Sequence, residues 1–320
     1  MLESLQFVQG AVAKKDYIPA LTHFHIANGR ITGYNGYVAL SSPIDLNLDA
    51  TPRADQLIKA IRTCKDTVQL HMTPAGKLAV KSGKFKAFVE CLEKEAYPAI
   101  EPEGEATAHW QPGECGIMDA LRVVAPFIAE DASRPWARGV LFRGPSCVAT
   151  NNIVLVEYWV GKTFPFEVNL PQEGVKELLR IGEQPISVQM AENSITFHFD
   201  GGRWLKSQLY NTAWPDISPI IDRAHNATKT PAGLYDALED IKAFSDELDR
   251  AYLLPGKVAT TRDDGAGASV DIELDATGCF NLEQLQNMLK VAKEVDLSQY
   301  PAPCLFFGDR IRGAIIGMRL

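Results

Sequence analysis

Residues 51–65 read TPRADQLIKAIRTCK. Apolar side chains recur there at helical spacing, so the stretch predicts a short amphipathic helix. Thr51 is a suitable N-cap, and Pro52 suits the first turn. The apolar face consists of Ala54, Leu57, Ile58 and Ile61. Lys59 and Arg62 lie three residues apart on the opposite face, as on an ordinary surface helix.

The same pattern occurs twice more in the chain. The second copy is Pro171–Ile181, PQEGVKELLRI, and the third is Asn281–Asp296, NLEQLQNMLKVAKEVD. Flanking residues recur at a nearly constant spacing between the first and second copies: Arg62 with Arg180, Val68 with Ile186, and Met72 with Met190. The spacing to the third copy is shorter. A repeat of this length indicates three related structural units, the last one trimmed.

Between the copies the chain consists of short runs separated by turn residues, which predicts antiparallel strands. Asn28-Gly29 is a strong hairpin signal in the first repeat. In the third repeat we expect a first helix with apolar residues at Leu234, Leu238, Ile241, Phe244 and Leu248, followed by one strand over Ala251–Thr260. The sequence therefore predicts an α+β protein of three similar domains, each with two helices packed on antiparallel sheets. Their expected bounds are 1–108, 109–226 and 227–320.

Each copy of the helix carries two cations on its outer face. They are Lys59 and Arg62, Lys176 and Arg180, and Lys290 and Lys293. For a single helix a solvated charged face explains such a pair. Three copies in one register favour a surface that binds the phosphates of duplex DNA without reading its sequence.

Composition limits the alternatives. The chain has 320 residues and a formal net charge of −8, which argues against nucleic acid unless the charge is unevenly distributed. No apolar run is long enough for a membrane span, and the N-terminus lacks the apolar core of a secretory signal. The cysteines are scattered without a CxxC pair, which suggests reduced thiols in the cytosol. They are Cys64, Cys91, Cys115, Cys147, Cys279 and Cys304.

Five stretches, in order, resemble the bacterial β sliding clamp, the processivity factor of DNA polymerase III. They are LAVKSGKFKAFVECLEKEAYPAI (78–100), SRPWARGVLF (133–142), CVATNNIVLVEY (147–158), FNLEQLQNMLKVAKEVDL (280–297) and the terminal tripeptide Met318-Arg319-Leu320. The likeness spans nearly the whole chain. The compact third repeat suggests a diverged version, such as one encoded by a phage or mobile element.

The resemblance implies a head-to-tail homodimer that closes into a ring around duplex DNA. A clamp loader opens such a ring with ATP, and the ring tethers the DNA polymerase. The clamp is not an enzyme, holds no cofactor or metal, and acts in the cytoplasm at the nucleoid, away from membranes. Strands near 68–90 and 251–275 are the expected places for the ring interface.

The resemblance also implies a peptide-binding pocket between the second and third domains, shared by the clamp's partners. Matching positions here are Thr150, Asn151, Asn152, Ile153, Val154, Leu155, Ile315, Ile316, Gly317, Met318, Arg319 and Leu320. Asn151-Asn152, Ile153-Val154 and Gly317 depart from the family's usual residues. For Ile315 and Met318 the alternative is that they complete the core side of the last strand.

Two other functions fit parts of the sequence. One is a clamp-like decoy or regulator that binds partner peptides without encircling DNA. The other is a repeat-built metal-dependent hydrolase that uses His23, His25 or the carboxylates of Asp263-Asp264. Arg134 with Asp131 is interpreted as a structural ion pair, and Trp204 and Trp214 as core or edge packing.

Overall fold

A computed structural model describes residues 1–15, 17–110, 116–130, 133–263 and 266–319. Cys115, Asp131, Asp264 and Leu320, which carried predictions, lie outside these ranges. The chain forms two compact units. The first consists of Met1–Met118 with Leu170–Asn211, and the second of Asp119–Asn169 with Thr212–Leu320. Residues 109–226 contribute to both units, and the division into three domains stays a prediction.

The α-helices are α1 (Leu2–Val8), α2 (Ala54–Thr63), α3 (Ile117–Val124), α4 (Gln172–Ile181), α5 (Ser218–Ile221), α6 (Leu234–Ile241) and α7 (Leu282–Leu289). Short 3₁₀ helices cover Gln9–Ala11, Pro19–Thr22, Lys94–Ala96, Ala125–Phe127, Pro135–Arg138, Asp200–Gly202, Lys242–Phe244 and Leu297–Gln299.

The strands of residues 1–118 are β1 (Phe24–Ala27), β2 (Arg30–Tyr34), β3 (Val38–Pro43), β4 (Gln69–Met72), β5 (Leu78–Ser82), β6 (Phe85–Val89) and β7 (Glu105–His109). Those of residues 119–211 are β8 (Gly139–Arg143), β9 (Ser146–Thr150), β10 (Val154–Trp159), β11 (Val168–Pro171), β12 (Ser187–Met190), β13 (Ser194–Phe199) and β14 (Arg203–Gln208). The remainder are β15 (Thr228–Lys229), β16 (Arg250–Leu254), β17 (Lys257–Ala259), β18 (Ser269–Asp271), β19 (Gly278–Asn281), β20 (Glu294–Val295), β21 (Cys304–Gly308) and β22 (Ile311–Ile315).

The first unit contains a seven-stranded sheet in the order β1-β2-β3-β14-β13-β12-β7 and a three-stranded sheet β4-β5-β6. Asn28 and Gly29 both have positive φ, which makes the tight turn that joins β1 to β2, as predicted. Helix α1 packs on β2, β3 and α2, and α4 packs on β14. These helices form a layer on the large sheet, which confirms the predicted α+β class.

The second unit contains an eight-stranded sheet in the order β11-β8-β9-β10-β22-β21-β20-β15. It also contains a four-stranded sheet in the order β18-β17-β16-β19. Along the long sheet, β10 pairs antiparallel with both β9 and β22. This pairing places the turn between β9 and β10 next to the end of β22.

The stretch that begins at Thr51 forms α2, and its four predicted apolar residues are buried. The predicted cap is wrong, because the Thr51 hydroxyl donates to the carbonyl oxygen of Leu92. Pro52 pairs with Cys91 in an isolated bridge, so the chain is still extended there. The helix therefore begins only at Ala54, after Arg53, which makes no side-chain cap bond.

The first helix of the third repeat is shorter than predicted. It ends at Ile241, and Phe244 and Leu248 are exposed. The carboxylate of Asp246 accepts from the backbone N–H groups of Leu248 and Arg250 at 3.0 and 3.1 Å. An aspartate that bonds local backbone in this way competes with helix continuation.

Two further predictions in the third repeat are wrong in length. The strand expected over Ala251–Thr260 is the hairpin β16–β17, because Gly256 turns the chain with a φ of 80°. The third helix copy ends at Leu289. Beyond it the N–H of Lys293 donates to Phe307, so pairing with β21 replaces the helix there.

Candidate peptide pocket and nucleic-acid interface

The second unit contains a cavity of about 550 Å³ at the end of its long sheet. It is formed by the turn between β9 and β10, the segment 213–220 and the end of β22. Its lining is mostly apolar, as in sites that bind small ligands or short peptide motifs. The lining residues are Arg134, Trp136, Thr150, Asn152, Ile153, Val154, Leu155, Ala213, Trp214, Pro215, Asp216, Ile217, Ile220, Pro303, Ala314 and Ile316.

The turn between β9 and β10 is fixed by its own side chains. The Thr150 hydroxyl donates to the carbonyl oxygen of Val154 at 2.8 Å and accepts from the N–H of Asn152 at 3.1 Å. The amide oxygen of Asn151 accepts from the N–H groups of Ile153 and Val154. Asn152 has a φ of 72°, a conformation that asparagine tolerates better than most residues. The turn is therefore rigid and presents Ile153 at the cavity.

Two tryptophans form one wall. The rings of Trp136 and Trp214 meet edge to face, with centroids 5.0 Å apart. The backbone of Trp136 is fixed by a hydrogen bond from Asn169 Nδ2 to its carbonyl oxygen. Trp214 packs against Leu155 and Ile221 in a buried cluster. Because these contacts fix both tryptophans, the wall is already formed before any ligand binds.

Two charged residues lie among the lining residues. Arg134 Nη1 donates to the amide oxygen of Asn152 at 3.0 Å. The carboxylate of Asp216 accepts from the N–H of Ser218 at 3.0 Å. Hydrogen bonds from the backbone and hydroxyl of Ser218 hold the pKa of Asp216 below its ordinary value. One cation and one anion thus lie beside a surface that is otherwise apolar.

In the first unit, the outer faces of α2 and α4 carry the predicted cations. Lys59 Nζ lies 3.5 Å from Asp55, and its side chain is 78% exposed. Arg62 is exposed and has no ion-pair partner among the described residues. Lys176 Nζ donates to the side chain of Gln172 at 3.2 Å. These weakly held cations remain available to an anionic partner.

The other three predicted cations are more strongly engaged. Arg180 donates from Nε to Glu177 at 2.6 Å and from Nη2 to the carbonyl oxygen of Phe7 at 2.7 Å. Lys290 is the C-cap of α7 and donates to the side chain of Asn287. Lys293 lies outside the helix and pairs with Asp309 at 2.5 Å. The six cations therefore do not form three equivalent pairs.

Comparison with solved structures shows a full-length match. The β sliding clamp of Caulobacter crescentus aligns with a TM-score of 0.86 at 17% identity, over 100% of this chain and 97% of that one. The clamp of Bacillus subtilis aligns with a TM-score of 0.84 at 17% identity, with the same coverage. That of Pseudomonas aeruginosa bound to griselimycin aligns with a TM-score of 0.82 at 19% identity, again with this coverage.

The chain has the β sliding-clamp fold. No protein-family model and no curated protein sequence matches it. The likeness is therefore one of three-dimensional structure, at a sequence identity below 20% in the three matches above. Within the described ranges no helix is long and apolar enough to cross a membrane.

In this clamp fold, six of the twelve predicted pocket positions line the cavity: Thr150, Asn152, Ile153, Val154, Leu155 and Ile316. Asn151 instead braces the turn and donates to Gln284 at 2.5 Å. Ile315 is fully buried, as a core position on the last strand requires.

The C-terminal residues after Ile316 are fixed beside Tyr300. A Cβ at Gly317 would collide with the ring of Tyr300, so the chain passes only with glycine there. The N–H of Met318 donates to Cys279, and the hydroxyl of Tyr300 donates to the carbonyl oxygen of Met318, each at 2.7 Å. Arg319 is exposed, and none of these three residues lines the cavity.

The sequence analysis missed the lining residues outside the two predicted segments. Trp214 was assigned to packing, a role that it also has. Trp136 was quoted only within a family-like stretch, and Arg134 was interpreted as the ion-pair partner of Asp131. Trp204, the other tryptophan assigned to packing, is buried on β14 in the first unit. The aromatic-proline pair Trp214-Pro215, near the end of the second repeat, was the signal available for this wall.

The histidines considered for a metal site are engaged otherwise. His23 Nδ1 lies 2.7 Å from the carbonyl oxygen of Pro19, and burial lowers its pKa. The ring of His25 lies against that of Tyr97, tilted by 31°, with the ring centroids 5.1 Å apart. Among the described residues no cluster of three His, Cys, Asp or Glu side chains could hold a metal ion.

Proposed function

We propose that this protein is a DNA sliding clamp: a non-catalytic ring of two chains that encircles duplex DNA and tethers a DNA polymerase. The observation that supports it most is the match to solved β sliding clamps over the whole chain. A clamp holds DNA by topology, and its contacts to phosphates are diffuse and without register, so it slides.

The exposed cations of the first unit support the DNA-binding part of this proposal. Lys59, Arg62 and Lys176 lie on α2 and α4, on the side away from the buried faces of these helices. Their long side chains reach phosphates without reading bases. In this arrangement the net charge of −8 is no obstacle, because the local charge of the helix face determines contact with DNA.

Two free sheet edges support ring closure. Among the residues that the structure describes, strand β6 pairs only with β5, and β18 pairs only with β17. On β6 the side chain of Phe88 is 62% exposed. A β6 edge of one chain that pairs with the β18 edge of a second chain satisfies both sets of backbone groups. Two such contacts close a ring.

The charges on these edges are complementary. The hairpin β5–β6 and its flanks carry four lysines: Lys77, Lys81, Lys84 and Lys86. The other edge carries Asp271 on β18 and Glu273 and Asp275 directly after it, all exposed. Opposite charges guide two surfaces together and fix their register. We assign the partner of each edge to a second copy of this chain.

The cavity of the second unit is assigned to partner peptides, such as those of a DNA polymerase and a clamp loader. Its size, its preformed tryptophan wall and its two charges suit a short segment with two bulky apolar side chains. In this function the protein catalyses no reaction. The clamp acts in the cytoplasm on the nucleoid.

A clamp-like regulator that binds peptides without encircling DNA is a second candidate. It is favoured by α6, LYDALEDI, which carries three carboxylates and no cation. The deciding experiment is retention on nicked circular duplex DNA after loading by a clamp loader. A sliding clamp stays on the circle during gel filtration and is lost when the circle is cut. Peptide binding without retention on the intact circle would contradict the clamp and support the regulator.

A further inference from the structure

A second cavity lies in the second unit, at the other end of β10 from the peptide cavity. It has a volume of about 600 Å³. The turn between β8 and β9, the end of β10 and the turn between β21 and β22 enclose it. We call it the arginine groove. Its charged and aromatic lining residues are Arg143, Glu157, Trp159, Phe307, Arg310 and Arg312.

Strand register places these side chains on one face of the long sheet. Glu157 on β10 is the cross-strand partner of Arg312 on β22. Alternate residues of a strand point to the same side, so Trp159 lies on the face of Glu157. On the other flank, Ser146 on β9 is the partner of both Trp159 and Arg143. The fold thus gathers cationic and aromatic side chains from β8, β10 and β22 on one side.

Both turns of the arginine groove are fixed to the end of β10. The N–H of Trp159 donates to the carbonyl oxygen of Arg310, and the N–H of Val160 donates to that of Pro145, each at 2.7 Å. Between the two turns the side chain of Trp159 is 52% exposed. An exposed tryptophan in a preformed groove is typical of a binding surface, because this residue often dominates the energy of an interface.

Arg310 occupies a backbone conformation that does not suit arginine. Its φ is 56°, in the left-handed region that glycine and asparagine adopt most readily. Its side chain is exposed and has no ion-pair partner in the part of the chain that the structure describes. The fold itself therefore gains nothing from arginine at this turn. Unfavourable backbone conformations of this kind are concentrated at functional sites, which indicates a use for the guanidinium group outside the fold.

The charges of the arginine groove favour an acidic ligand. Among its described lining residues are three guanidinium groups and one carboxylate, in a chain whose formal net charge is −8. Arg143 pairs with Glu167 at 2.9 Å, and their side chains are 42% and 56% exposed. Because such an exposed pair is weak, a carboxylate of a ligand can replace Glu167. Guanidinium groups bind carboxylates through two parallel hydrogen bonds, which makes the contact specific.

The pairing of the strands limits the kind of ligand. Strand β10 is paired on both sides, so it offers no free edge for an added strand, and side chains must make the contacts. A nucleic-acid backbone would bring a phosphate at every nucleotide past the carboxylate of Glu157, whereas a peptide can place its carboxylates beside the arginines alone. We propose that the arginine groove docks an acidic segment of a partner protein. A bulky apolar side chain of the segment packs on Trp159, and its carboxylates bind Arg310 and Arg143. Docking here requires neither ring closure nor the peptide cavity.

The test measures the binding of labelled peptides to the full chain by fluorescence anisotropy at low salt. The acidic probe is GDEFLEDG, and its neutral counterpart GNQFLQNG keeps the same apolar centre. The chain is expected to bind the acidic probe roughly tenfold or more tightly than the neutral one, with a difference that narrows as salt rises. Arg310→Gly should lose most of this preference without a lower thermal stability, because glycine suits the φ of this position.

Arg262→Gly is the matched control, since Arg262 is another exposed arginine of this unit and does not line the arginine groove. Ile316→Glu alters the peptide cavity and should keep the preference for the acidic probe. Retention on circular DNA should be the same in Arg310→Gly as in the wild type, which separates this site from the proposed clamp function.

Four results would overturn the inference. The first is a wild-type chain that does not bind the acidic probe or binds both probes equally. The second is a preference that persists in Arg310→Gly or is lost in Ile316→Glu. The third is a fall in the thermal stability of Arg310→Gly in parallel with its binding, which would assign Arg310 a structural role. The fourth is Arg310-dependent binding of oligothymidine that is tighter than that of the acidic probe, which would make nucleic acid the ligand.

Discussion

Arg180 on α4 donates a hydrogen bond from Nη2 to the carbonyl oxygen of Phe7, in the last turn of α1, over 2.7 Å. The final carbonyl groups of a helix have no partner within it, and a cation there also interacts favourably with the negative end of the helix dipole. A second bond, from Nε to Glu177 at 2.6 Å, fixes the guanidinium. This residue, predicted to contact DNA, thus also joins two helices of the first unit.

The consequence is a loss of stability when this side chain is removed. We expect Arg180→Ala to lower the free energy of unfolding by about 1–2 kcal/mol, since a charge-assisted bond to a backbone carbonyl is lost. Arg62→Ala is the control and should change it by less than about 0.5 kcal/mol, as exposed substitutions generally do. Urea denaturation measures both. Equal stability of the two variants would show that the contact with α1 contributes nothing.

The features that the sequence predicted correctly are those that depend on a pattern within one short segment. The apolar stripes of α2 and α4 are periodic within one segment, and burial of Leu57 and Leu178 follows from that period. The turn at Asn28-Gly29 follows from the conformations these two residues tolerate. The end of α6 was mispredicted because Phe244 and Leu248 continue the period, while Asp246 stops the helix through its side chain.

The cavity was predicted only in part because its wall comes from distant segments. Trp136 and Trp214 are brought together by tertiary packing, and periodicity within either segment says nothing about the other. Ile315 and Ile316 were both predicted for the pocket, but successive residues of an extended chain point to opposite sides. Ile315 faces the core, and Ile316, directly after β22, lines the cavity.

The helix cations are tested by a triple substitution. We expect Lys59→Ala, Arg62→Ala and Lys176→Ala together to weaken DNA binding and to reduce the slope of log affinity against log salt by roughly 2–3, near one per lost phosphate contact. Binding to duplex hairpins across a salt series measures the slope. As the charge-matched control, Lys94, Arg122 and Arg143 are replaced by alanine, since each is paired with a carboxylate. The same loss of slope in this control would refute a specific role for the helix face.

The cavity is tested by a single charge at its edge. Ile316 is 45% exposed, so Ile316→Glu should fold normally. We expect it to weaken binding of a polymerase-derived peptide about tenfold or more, because a carboxylate then faces an apolar surface. Isothermal titration measures the affinity. Ile186→Glu in the first unit is the control, with a closely similar exposure of 43%. Unchanged affinity in Ile316→Glu would exclude the cavity as the peptide site.

The carboxyl group of Asp296 makes the stability of the second unit depend on pH. Burial acts to raise its pKa, but hydrogen bonds from Asn226, Ser298 and Gln299 outweigh burial and hold the pKa below the ordinary value of 3.8. A carboxyl group with a lowered pKa in the folded state stabilises the fold above its unfolded pKa, and this contribution is lost as pH falls. We therefore expect Asp296→Asn to unfold with a shallower pH dependence between about pH 5 and pH 3 than the wild type. Asp45→Asn, at an exposed site, is the control, and an unchanged profile in Asp296→Asn would contradict the prediction.

Charge reversal tests the ring interface most directly, since it predicts both a loss and a recovery. Lys84→Glu with Lys86→Glu places carboxylates on the β6 edge, and we expect the dimer to weaken roughly tenfold or more at low salt. Asp271→Lys with Glu273→Lys should weaken it in the same way from the β18 edge. A chain that carries all four changes restores opposite charges across the contact and should recover the dimer. Sedimentation across a salt series measures each chain, with Phe88→Ala as the comparison, because an apolar loss weakens the dimer without this charge recovery. If the fourfold variant is as weak as either double variant, these two edges do not meet in the ring.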